Sequence, residues 1–221
     1  MAARAKAANA SAIYATIRAE IVAGELAPAT PLREAALASR FGVSRTPIRD
    51  VLSRLLHDGL LERAVTGLQV ATNSIERTIQ VYDLRTLLEG QVAAEAADSR
   101  READLMLLRR LLNRDRALDN PSTAERVRVN LEFHNAVWDA AHNGVLRDIL
   151  ERLAMNGVSA PQTTLDVGDR WAISLDQHAE MIDAIEDRDA ERARHVAQNH
   201  LADARALRLK ILTDDLNVES A

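Results

Sequence analysis

One segment constrains this chain more than any other: Phe41-Gly42-Val43-Ser44-Arg45-Thr46-Pro47-Ile48-Arg49 reads as a tight turn feeding a new helix. Gly42 permits the turn, Ser44 can cap the helix, and Pro47 falls in the first turn, where its missing N–H costs no helical hydrogen bond. Ile48, Val51, Leu52 and Leu55 then supply a stripe that packs inward until Gly59. Upstream, Ile13, Ile17 and Ile21 place one apolar stripe on a first helix that Gly24 can terminate. Between the two, Thr30 is expected to cap a second helix with Pro31 at its first position, and Leu32, Ala35 and Phe41 to form its buried face.

Two short helices joined by a glycine turn have the form of a helix-turn-helix reader. Arg45 and Arg49, four apart, project from one face near the helix N-terminus, and arginine can donate two bonds to O6 and N7 of guanine. The alternative is an exposed arginine pair on an ordinary helix. Leu60–Ala64 and Leu68–Ala71 read as short strands around Val65-Thr66-Gly67, a hairpin wing. Charge follows the same division. The net charge is -5, yet residues 1–72 hold nine Lys and Arg against six Asp and Glu, while the remainder holds 19 against 27. The basic part is therefore the part with the reader's form. Cysteine is absent, so any metal would have to use His, Asn or carboxylate. No uncharged apolar run of membrane-spanning length and no secretory signal occurs, which leads to the expectation of a cytoplasmic protein with no membrane partner.

Thr30-Pro31-Leu32-Arg33-Glu34, the Phe41–Arg49 run, Leu55, Gly59, Leu60 and Gly67 together resemble the winged-helix signature of GntR-family transcription regulators, over roughly residues 10–72. The resemblance implies Arg33, Arg45 and Arg49 as the main DNA contacts, Ser44 and Thr46 on phosphate or base edges, and Thr66 and Gly67 at the wing tip. Structural roles compete at Ser44, which could be only a cap, and at Arg33, which could pair with Glu34 or a neighbouring helix.

From Asn73 onward there is no Gly-rich phosphate loop and no Ser/His/Asp arrangement, only amphipathic stretches. Helices are expected at about 74–98, 100–117, 122–142, 144–158, 169–187 and 189–212, with breaks at Ser99, Asp119-Asn120-Pro121, Asn143-Gly144, Ser159 through Gly168, and Asp187-Arg188-Asp189. Short connections favour an antiparallel bundle. Three apolar stripes each carry one histidine: Val127, Leu131, His134, Trp138, Ala141; Trp171, Leu175, His178, Ile182, Ile185; and Val196, His200, Ala204, Leu207, Ile211. Trp138 and Trp171 are read as core. A lone buried imidazole is usually a satisfied core residue. Three in one small bundle could instead share a metal, which would satisfy all of them at once. His195 should face elsewhere, and His57 and His142 should be exposed.

Asn130-Leu131-Glu132-Phe133-His134, Gln177-His178-Ala179-Glu180-Met181-Ile182 and Asn199-His200-Leu201 resemble the metal-binding positions of the FCD effector domain of FadR-type regulators. The expected fold is therefore mainly α: a disordered leader (1–9), a winged helix-turn-helix (10–72), an all-helical FCD domain (73–215) and a tail (216–221). The resemblance implies a divalent metal, zinc with nickel or manganese as alternatives, on Asn130, His134, His178 and His200. Asn130 departs from the commoner Asp; it brings no charge, so affinity should fall and metal choice could shift. It also implies a small carboxylate effector facing Arg85, for which a pair with Glu89 is the competing reading. A homodimer on a palindromic operator follows, more commonly repressing until effector binds. A direct metal sensor and, remotely, a helical metalloenzyme are the alternatives; no enzyme is expected.

Overall fold

The computed structural model describes residues 2–22, 24–65, 67–72, 75–158 and 163–219, with side chains undescribed at 2–9, 22, 155–158 and 214–219. Thr66, the Ser159-Ala160-Pro161 break, Asn73, Met1 of the leader and the last two residues of the tail lie outside the described residues. The backbone divides into two compact units, one of residues 1–74 with 154–161 and one of residues 75–153 with 162–221.

The first unit has α1 (Ala2–Val22), α2 (Glu34–Phe41), α3 (Arg45–His57), β1 (Leu61–Ala64) and β2 (Gly67–Val70). Helix α1 begins within the stretch expected as a leader. Ile13, Ile17 and Ile21 are buried, as their spacing predicts, against a core that includes Ile48, Val51, Leu52 and Leu55 of α3. Gly42 closes α2 in the left-handed region (φ 63), its N–H reaching Ala38 O and Ser39 O, and so reverses the chain into α3. The strands pair antiparallel from Leu61↔Val70 to Ala64↔Gly67, and Gly67 adopts φ 123, open only to glycine.

The second helix departs from expectation. Thr30 does not cap it and Pro31 is not its first residue: α2 starts three residues later, with Arg33 at the N-cap. Residues 30–32 instead extend the wing, with Val70 N–H donating to Thr30 O at 2.9 Å and Leu32 N–H to Leu68 O at 2.8 Å. Pro31 sits opposite Gln69 between those bonds, where the ladder asks for no N–H. The later start also rotates the buried face onto Leu37; Ala35 is exposed.

The second unit contains α4 (Ile75–Ser99), α5 (Glu102–Arg116), α6 (Thr123–Ala140), α7 (Gly144–Val158) as far as residue 153, a 3-10 turn at Thr164–Asp166, α8 (Arg170–Glu186) and α9 (Ala190–Glu219). The six expected helices form, and the last runs further than expected. Both α4 and α9 bury small residues, Ala93 and Ala97 on one and Ala193 and Ala197 on the other, and their close approach shows at Gly90, where a Cβ would lie 2.7 Å from Gln198 Cγ. The Asp83–Arg205 pair and the Gln91–Arg194 bond make these two helices antiparallel. The buried face of α9 runs through Ala193, Ala197, His200, Leu201 and Arg208, turned from the stripe expected around Val196 and Ile211, which are only half-buried.

Candidate functional site

In the first unit, α3 presents its N-terminal turn with no acidic residue in it, so the positive end of its dipole is uncompensated. Ser44 occupies the N-cap position in extended conformation, but its hydroxyl makes no cap hydrogen bond and is exposed, so the purely structural reading of Ser44 fails. Arg45, Thr46 and Arg49 are exposed beside it. Arg49 Nε donates to Glu34 Oε2 at 2.8 Å, with 65% of its side chain still accessible. Arg33 is exposed at the start of α2. A cleft of about 420 Å³ between α2, α3 and the wing is lined by Arg33, Arg49, Arg63 and Gly67 among others. Arg63, on β1, was not singled out by sequence; its place in the alternation of a strand was the available signal. Val65 at the wing tip is fully exposed, and Thr66 beside it lies outside the described residues.

In the second unit, His134 on α6, His178 on α8 and His200 on α9 converge. Each offers one ring nitrogen to a group whose members all lie within 4.8 Å of one another, and all three are buried. Their ring centres are 5.0 to 5.4 Å apart. Asn130 stands one turn before His134, and its Oδ1 accepts from Ser174 Oγ at 3.5 Å, one turn before His178. With 130 beside 174 and 134 beside 178, α6 and α8 run in the same direction past the site. His195 and His57 are exposed, and His142 is exposed with Nε2 3.0 Å from Asp104.

The protons on these rings follow from their neighbours. Gln177 Oε1 accepts from Arg170 Nη1 at 2.8 Å, and Gln177 Nε2 donates to Asp203 Oδ2 at 2.7 Å, so the amide has one orientation. His200 Nδ1, 2.9 Å from that oxygen, is therefore the donor, and Nε2 keeps its lone pair. Arg170 Nη2 lies 3.4 Å from the same Nδ1, a contact between two donors rather than a bond. His134 Nδ1 faces Glu89 Oε2 at 3.4 Å, which likewise directs its proton there and frees Nε2. Glu89 is buried and also accepts from Trp138 Nε1 at 2.9 Å and Arg85 Nη2 at 2.8 Å. Burial pushes its carboxyl up, but His134, Arg85 and Trp138 outweigh that and hold it down at about 2. The pair with Glu89, the competing reading of Arg85, is thus present; Arg85 Nε has no hydrogen-bond partner.

His178 differs. Its ring stacks on Phe133 at 3.8 Å, and neither nitrogen has a hydrogen-bond partner among the described residues. Burial, then the neighbouring His134 and Arg170, push its pKa well below the usual value, and burial does the same at His200. Both imidazoles are neutral at pH 7, with lone pairs available to a cation and little proton competition. This donor set, three convergent imidazoles with an amide oxygen one turn away, fits a borderline divalent ion. Sequence reading missed Glu89 as a hub, Gln177, Ser174 and Arg170. The i, i+4, i+8 spacing of Arg170, Ser174 and His178 could have flagged two of them.

A winged helix-turn-helix joined to an all-helical unit with a buried polar cluster defines a class: transcription regulators that read DNA with one part and carry a second part for a signal. Residues 9–67 match the model of the bacterial regulatory proteins of the gntR family, and residues 80–203 match that of the FCD domain. The chain belongs to the GntR family of DNA-binding transcription regulators with an FCD domain, and it is not an enzyme. It is 30% identical over 143 residues to the HTH-type transcriptional regulator YdhC of Bacillus subtilis, 63% of this chain and 64% of that one. It is 27% identical over 191 residues to the HTH-type transcriptional repressor RspR of Escherichia coli, 86% and 84% of the two chains. The solved structure of E. coli McbR/YncC shares the fold, with a TM-score of 0.74 at 21% identity over 94% of this chain and 98% of that one. Among the described residues no helix is long and apolar enough to cross a membrane.

Proposed function

We propose that this regulator, a member of the FadR-type branch acting in the cytoplasm, represses from a palindromic operator as a homodimer, and that a small carboxylic acid bound in the helical unit releases it. The observation that carries the effector part is His178, a buried imidazole with both nitrogens unpartnered among the described residues, at the meeting point of two other buried imidazoles. Asn130, His134, His178 and His200 would hold a divalent ion, zinc or else nickel or manganese. The ion supplies a fixed positive charge that can hold a carboxylate. Gln177 and Glu89 orient two of the ligand rings, and Arg85, with Nε unpartnered, offers the acid a second contact.

On the DNA side, Arg33, Arg45 and Arg49 are the principal contacts, with Ser44 and Thr46 at the start of α3 and Thr66 and Gly67 at the wing tip. Arg63, lining the same cleft, joins them as a phosphate contact. Exposed apolar residues on α4 (Leu84, Leu87) and α7 (Val145, Ile149) support self-association, and the name of the E. coli relative RspR supports repression. The acid acts by favouring one spacing of the two readers. The test is metal content and operator retardation for the wild type and His178→Ala. The variant should lose metal and acid response while retaining operator binding. Loss of operator binding with fold and dimer intact would refute this division of labour, and operator binding controlled by metal alone would make the protein a direct metal sensor.

A further inference from the structure

We propose that Arg170 is an anion anchor beside the histidine cluster, and that the ligand of this site is a compact oxyanion carrying at least two negative charges. The inference rests on the metal-and-acid reading above and names the class of acid. Arg170 opens α8 and is 3% exposed. Every hydrogen bond it makes goes to a neutral group: Nη1 to Gln177 Oε1 at 2.8 Å and Nη2 to the His200 carbonyl at 2.9 Å. Its Nε is buried without a partner.

A guanidinium stays protonated inside a protein, so this is a buried cation bonded to no acid among the described residues, a costly arrangement unless something compensates it. The carboxylates nearest the site are engaged with other groups. Asp203 is exposed and acts on Arg170 through Gln177, while Glu89 is bound by Arg85 and Trp138. The Nη2 of Arg170 bonds the backbone carbonyl of His200 at 2.9 Å and lies 3.4 Å from that ring's Nδ1, so the charge stands beside the cluster.

The charge count decides the ligand class. As ligands, the amide of Asn130 and the imidazoles of His134, His178 and His200 bring no negative charge, so a divalent ion there keeps its full charge, and Arg170 adds one more at the next position. A monocarboxylate leaves most of that charge uncompensated; a dicarboxylate or a phosphate does not. The shared chemistry is a small oxyanion with two charges close together.

The experiment is calorimetric titration of the full chain with acetate, malonate, succinate and inorganic phosphate, with metal content measured on the same samples. The expected result is at least tenfold tighter binding of malonate, succinate or phosphate than of acetate, and collapse of that ratio in Arg170→Gln at equal metal loading. A merely structural role for Arg170 would weaken all four probes alike and leave the ratio intact. The preferred probe separates the dicarboxylate source from the phosphate source. Acetate binding as tightly as the others, or an undiminished ratio in Arg170→Gln, overturns the anchor and leaves the metal-and-acid reading standing. Should Arg170→Gln fail to fold, the wild-type ratio still decides the ligand class, and the same titration of metal-free protein decides the anchor. The dianion preference without bound metal supports the anchor and refutes the metal, whereas no binding of any probe by metal-loaded protein overturns both.

Discussion

Glu89 is the position where a single change should cost the helical unit most. Its carboxylate is buried at 2% exposure, takes hydrogen bonds from Trp138 at 2.9 Å and Arg85 at 2.8 Å, and faces His134 at 3.4 Å. Glu89→Leu removes the acceptor and leaves an indole N–H and a largely buried guanidinium without their partner. Breaking such a pair from one side costs about 3–5 kcal/mol, because the remaining charge is stranded rather than because the pair itself is strong. Glu89→Gln keeps an oxygen for Trp138 but turns an amide donor toward Arg85, so about 1.5–3 kcal/mol is expected, the value of the charge-assisted bond lost there. Adding Arg85→Met to Glu89→Leu removes the stranded cation and should recover at least about 1 kcal/mol. The assay is urea unfolding followed by tryptophan fluorescence. Both tryptophans of the chain, Trp138 and Trp171, lie in the helical unit, so the signal reports that unit without interference from the DNA-binding one. A loss below about 1 kcal/mol for Glu89→Leu, or no recovery in the double variant, would refute the argument that Glu89 neutralises this part of the core.

Two further predictions concern the first unit. Arg49→Ala should weaken operator binding by about 1–3 kcal/mol and relax base preference, measured by fluorescence anisotropy on specific and scrambled duplexes at one fixed salt concentration; a uniform loss on both duplexes would assign Arg49 to phosphate instead. Tyr14, whose hydroxyl donates to Asp58 Oδ2 at 2.6 Å, has its pKa pushed from 10.0 up to about 12, by burial first and then by Asp58. Its contribution to stability is present below the unfolded value near 10 and disappears as pH rises through about 12. Ultraviolet phenolate titration should show this late ionisation, and Asp58→Asn should bring it earlier; an unchanged titration would show that the hydrogen bond does not matter to it.

Local features of the chain were legible wherever one element decided the outcome. The spacing of Ile13, Ile17 and Ile21, the Gly42 turn, the stripe from Ile48 to Leu55 and the histidines on three separate apolar stripes all depend on helical periodicity, which a linear sequence displays directly. Thr30 and Pro31 misled for a definable reason. A threonine before a proline suits a helix start and an edge strand equally, and the free backbone of β2 at Leu68–Val70, nearly forty residues away, selected the strand. The turn of α9 onto its alanines was likewise decided in the packed structure.

Periodicity placed His134, His178 and His200 inside, but burial does not say that three rings meet. That was decided by the packing of α6, α8 and α9, which brings residues 134, 178 and 200 within 4.8 Å. The same packing assigns the protons, since Gln177 and Glu89 can orient His200 and His134 only once helices distant in sequence stand side by side. It also strands Arg170 among neutral acceptors, something no pattern of charges along the chain reveals. Helical period is a property of neighbours in sequence and can be read from it. Charge compensation and hydrogen-bond direction are properties of neighbours in space, and here only the tertiary structure brings those neighbours together.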